Sequence, residues 1–106
     1  MAQANTICES LDNHPNVGVA LDVYHTWWDE KLNEEISRSF NNGNLTSYHI
    51  CDWLSPMEDM LNDRGLMGEG SIDVNQISKW VTESGFTGFH EVEIFSERWW
   101  KIDQHD

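Results

Sequence analysis

The sequence predicts an α/β chain with parallel strands, and three observations carry that prediction. Three apolar runs of strand length alternate with helical patterns. Each run ends on or beside polar residues, where a parallel sheet opens to ligands. The clusters His14-Pro15-Asn16 and Asn41-Asn42-Gly43-Asn44 fall between these patterns as breaks.

From Ala2 to Asn13, the residues Ile7, Cys8 and Leu11 recur at helical spacing until His14-Pro15-Asn16 breaks the helix. Val17 to Val23 is a nearly continuous apolar run, as expected of a parallel strand covered on both faces. Residues 29–40 place Leu32, Ile36 and Phe40 on one helical face, and Asn41-Asn42-Gly43-Asn44 closes the segment with residues that tolerate left-handed backbone. Leu45 to Cys51, with β-branched and aromatic residues and no proline, reads as a second strand. Residues 52–71 contain Pro56, Gly65, Gly68 and Gly70, and read as a loop long enough to be functional or disordered. Asp73 is an N-cap for a helix over 74–84, with Ile77, Trp80 and Val81 inward and Gly85 as its stop. Phe89 to Phe95 supplies the third strand, and a polar tail follows. Strand–helix–strand links of this kind imply right-handed crossovers in one parallel sheet.

The 106 residues, 39% hydrophobic and 24% charged, match a folded globular domain and not a disordered chain. Nineteen acidic residues against six basic ones give a formal charge of -13, which repels nucleic acid phosphates and acidic lipid surfaces, so neither is an expected partner. Cys8 and Cys51 form neither a CxxC pair nor a disulfide framework, consistent with reduced thiols in a cytoplasmic protein. Secretory and membrane segments are not expected, since the N-terminus lacks a basic segment and no apolar run approaches about 18 residues.

Asp22, His49 and Glu93 stand at the ends of the three strands, and on a two-residue period each can point into a common mouth. Two carboxylates and an imidazole brought together are costly without a cation, so a divalent metal is the natural occupant. Mixed oxygen and nitrogen donors suit manganese first, with magnesium, cobalt or zinc as alternatives. Glu91 lies one step deeper on the same face as Glu93 and is expected to act behind the ligands. Trp27-Trp28 and Trp99-Trp100 follow the first and third strands and can wall a pocket or cover the rim. Cys51 is expected to be a small lining residue, and His14, His90 and His105 have no assigned role.

The segments LDVYH (21–25), YHICDW (48–53), DRGLMGEGSID (63–73) and GFTGFHEVEIFS (85–96) resemble, in order, the sugar phosphate isomerase/epimerase family with its xylose isomerase-like TIM barrel. The resemblance implies a partial TIM (β/α) barrel, its last three parallel strands with their helices, over residues 1–106. It implies Asp22, His49 and Glu93 as metal ligands, Glu93 also as the proton-transfer residue, and His25 and Arg64 as contacts to substrate oxygens. It further implies isomerisation or epimerisation of a sugar or sugar phosphate by proton removal next to a carbonyl, through an enediolate. Inosose dehydratase-like chemistry begins the same way. A related barrel, that of apurinic endonucleases, is disfavoured by the charge of -13.

The family barrel of about 250 residues takes a further glutamate from the strand before that of Asp22, and the chain does not contain that strand. Open strand edges then lead to an expectation of self-association or of a separate N-terminal half. A non-catalytic barrel remnant, used for assembly or sugar binding, is the alternative to an enzyme.

Overall fold

A computed structural model describes residues 1–103, so His105 and the last residues of the polar tail lie outside the described residues. Helix α1 (Ala2–Ser10) leads into strand β1 (Val19–Asp22), whose end winds into a single 3-10 turn over Val23–His25. Helix α2 (Leu32–Asn41) returns the chain to β2 (Leu45–Ile50). Two short strands, β3 (Asp52–Trp53) and β4 (Arg64–Gly65), precede helix α3 (Val74–Ser84), strand β5 (His90–Val92) and helix α4 (Glu97–Trp100).

The main sheet has the order β1-β2-β5 and is parallel throughout, so the α/β, part-barrel reading stands. Its register pairs Asp22 with His49 and His49 with Glu91. β5 is shorter than expected, yet the Glu93 amide still donates to the Ile50 carbonyl at 3.0 Å, continuing the ladder to the residue that matters.

One face of this sheet packs on α2 and α3. Leu21, Tyr48, Leu32, Ile36, Ile77 and Val81 are buried there, each side chain contributing roughly 1.5–3 kcal/mol. Trp80, expected inward, only partly packs against this core. The other face is uncovered. Ala20 is exposed and β5 is exposed along its whole length, which corrects the expectation of strands covered on both sides. Val19 and Leu21 reach the helices, whereas the alternate residues reach the open mouth.

The segment 52–71 is not structureless. β3 and β4 pair antiparallel, with Asp52 opposite Gly65 and Trp53 opposite Arg64. The carboxylate of the fully buried Asp52 accepts from the amides of Trp53, Gly68, Gly70 and Ile72 at 2.8–2.9 Å. Gly70 is obligatory in this wrap, because a Cβ there would lie 2.1 Å from the Trp53 carbonyl oxygen. Helix α3 starts and stops where its caps dictate: Asp73 accepts from the Gln76 amide, and Gly85 adopts φ +112.

Helix α1 docks on α2 through polar contacts. The buried Asn5 amide donates to the Glu35 carbonyl and carboxylate, while Arg38 clamps Glu9 at 2.6 Å and Glu35 at 3.0 Å. No helix among the described residues is long and apolar enough to cross a membrane.

Candidate metal centre

The parallel register places Asp22 and His49 side by side, and the extension of β5 brings Glu93 to the same rim. One donor atom from each of the three lies within 4.8 Å of the others, close to the spacing of ligands around a single ion with bonds of about 2.1 Å. An oxygen–nitrogen–oxygen donor set of this kind fits a divalent metal.

The neighbours of each donor aim it. The Tyr24 amide donates to Asp22 Oδ1 at 2.9 Å, the expected geometry for a residue capping the 3-10 turn that follows β1. His49 is held between two acids, with Nε2 at 3.1 Å from Glu91 and Nδ1 at 3.0 Å from Glu93. With Nε2–H donating to Glu91, the other ring nitrogen, Nδ1, faces the cup of Asp22 and Glu93. The Glu91 side chain is half exposed and touches the back of the imidazole. It is therefore not buried beneath the ligands as its position along the strand suggested. The open sheet face accounts for the difference.

Arg64 adjoins the same cup. Its Nη1 lies 3.0 Å from Asp22 Oδ2, 3.3 Å from the Glu93 carbonyl and 3.7 Å from the Glu93 carboxylate, and its Nη2 lies 3.4 Å from His25 Nε2. The guanidinium is sandwiched between the Tyr24 ring at 4.3 Å and the Phe95 ring at 5.0 Å. Its Nε is buried with no hydrogen-bond partner. A cavity of about 260 Å³ opens beside this sandwich, lined by Tyr24, His25, Met60, Leu61, Arg64 and Phe95.

His25 and Arg64 thus meet at the cavity wall, and Asp22, His49 and Glu93 meet at the cup beside it. The tryptophan pairs do not line this cavity but pack behind its wall. Trp27 and Trp28 pack on Trp53 with ring centroids about 6 Å apart, and Trp100 packs on Phe95. Cys51 is fully buried beneath Arg64, and burial pushes its thiol up to about 12, which removes it as a nucleophile at neutral pH. His14 accepts from the Asn16 amide, and His90 packs edge-on against Tyr48. Asp52, Tyr24 and Phe95 were not foreseen as shaping the site, although all three sit inside the motifs YHICDW, LDVYH and GFTGFHEVEIFS.

The fold and this strand-end cup define a portion of a (β/α) barrel together with the rim at the carboxyl ends of its strands. The Xylose isomerase-like TIM barrel family matches residues 1–106, and the chain belongs to that family. A crystal structure of protein SMc04130 from Sinorhizobium meliloti 1021 is similar, at 51% sequence identity and a TM-score of 0.89, over 95% of this chain. The chain spans 36% of that longer one. A comparison with curated proteins finds no match.

Proposed function

We propose that this chain contributes the metal-binding rim of a sugar or sugar phosphate isomerase or epimerase, working through proton removal next to a carbonyl. The observation that carries the reading is the convergence of Asp22, His49 and Glu93 from three successive strands of the main sheet within 4.8 Å. Asp22, His49 and Glu93 would hold the metal, manganese before magnesium, cobalt or zinc. Bound there, the metal would polarise the substrate carbonyl and the neighbouring hydroxyl.

Glu93 takes the proton from the adjacent carbon, its carboxylate standing at the edge of the cup with its backbone fixed to β2. His25 and Arg64 hold substrate oxygens from the cavity wall, and the Phe95 ring offers an apolar surface to the carbon skeleton. Catalysis by the whole barrel requires strands beyond residues 1–106, including a second proton-handling carboxylate. The cytoplasm is the proposed location, consistent with two free, buried cysteines.

Calorimetric titration with Mn²⁺ tests the reading. Binding at a single site is expected, weakened at least about tenfold by Asp22→Ala, His49→Ala or Glu93→Ala. No binding by the parent chain, or unchanged binding in all three variants, would overturn it. The uncovered β5 edge favours a second reading, a barrel remnant used for assembly or sugar binding. Sugar binding without turnover after reconstitution with the remaining strands would select it.

A further inference from the structure

We infer that Arg64 is the resident counter-cation of the proposed metal cup, and that it weakens metal binding by competing for Asp22. The inference rests on the metal-site reading above and concerns the regulation of that same site.

The competition is visible in the sharing of one oxygen. Asp22 Oδ1 accepts from the Tyr24 amide at 2.9 Å, which leaves Oδ2 as the oxygen free of that backbone bond. Arg64 Nη1 lies 3.0 Å from that same Oδ2. It also reaches the Glu93 carboxylate at 3.7 Å, so a single guanidinium sits against two of the three proposed ligands. The contact is sheltered, since the Arg64 side chain is 6% exposed and that of Asp22 14%. At such burial a charge a few ångströms from an incoming cation is poorly screened.

Orienting Asp22 does not require the opposite role, in which Arg64 steadies the carboxylate and so strengthens metal binding. The Tyr24 amide fixes the carboxylate, and the Thr26 hydroxyl donates to the Asp22 carbonyl at 2.9 Å, so the ligand is oriented without the arginine. Nor can Arg64 readily swing away. Its backbone, in β4, pairs with Trp53 of β3 and donates to the Phe95 carbonyl at 3.0 Å, and its guanidinium is held between Tyr24 and Phe95. A bound metal must therefore share the cup with it and compete with Nη1 for the lone pairs of Oδ2. The hydrogen bond that a metal weakens belongs to a guanidinium that also lines the neighbouring cavity. Metal occupancy and the readiness of Arg64 for substrate oxygens are coupled through one hydrogen bond.

Calorimetry with Mn²⁺ alone compares the full chain with Arg64→Gln. The variant is expected to bind Mn²⁺ at least about tenfold more tightly, the effect of removing one sheltered positive charge. Equal or weaker binding by the folded variant, with circular dichroism matching the parent, would overturn the inference while leaving the metal centre intact. Absence of binding in both proteins would overturn the metal centre and the inference with it. A measurement on the parent chain avoids dependence on the variant's folding. With arginine side chains labelled with ¹⁵N and Mg²⁺ as a diamagnetic probe, the Arg64 resonances are expected to shift on saturation, while those of Arg38 and Arg98 stay fixed. Unmoved Arg64 resonances at Mg²⁺ saturation count against it equally.

Discussion

At the scale of single residues, Asp52 bears more of the rim than any of the proposed ligands. It is fully buried and accepts four backbone N–H groups, tying the turn of Gly68 and Gly70 to the strand that faces Arg64. Replacing it with alanine leaves those donors without partners, and Asp52→Ala is expected to cost about 3 kcal/mol in urea unfolding. Asp52→Asn keeps the size but turns an NH2 donor toward two of the four amides, so it should cost about as much as the alanine change. Asp22, His49 and Glu93 were legible in the sequence because polar residues closing apolar strands stand out against their surroundings. Asp52 was not, because a carboxylate satisfied by the backbone leaves no partner residue to notice. The contact between Arg64 and Asp22 was equally hidden. It joins residues 42 positions apart, and the family resemblance pointed the arginine at substrate alone.

Among the elements, α3 matched its expected span because both ends carry their own signals, the Asp73 cap and the left-handed Gly85. β5 fell short because uncovered strand ends lack the packing that prolongs regular structure, and β3 and β4 went unseen because two-residue strands leave no periodicity. The junction of α1 with α2 carries a pH dependence. Hydrogen bonds from Arg38 first, and then Asn42, lower the Glu9 carboxyl from 4.5 to about 2. A carboxylate depressed in the folded state contributes stability that is present above its unfolded value and lost as pH falls through the folded one. Thermal midpoints measured between pH 5 and 2, a window of roughly three units around those values, should therefore fall more steeply in the parent than in Glu9→Gln.

For the whole molecule, the three-stranded sheet has helices on one side and an open face on the other, with Val92 in β5 and Phe89 just before it exposed. Edges of this kind pair with other strands. The chain is expected to associate with rising concentration, and Val92→Lys should shift sedimentation velocity profiles toward the monomer. The strand–helix alternation made the α/β class legible, whereas the openness of one sheet face is a property of what surrounds the strands and was not written in their apolar runs. The cup has a further consequence in time. Its parts are far apart in the chain, and the contact of Arg64 with Asp22 spans 42 residues, so it is complete only once β1, β2 and β5 have docked. A cation that recognises only the finished cup cannot hasten that docking. It holds the folded state closed, slowing unfolding while leaving the folding rate unchanged.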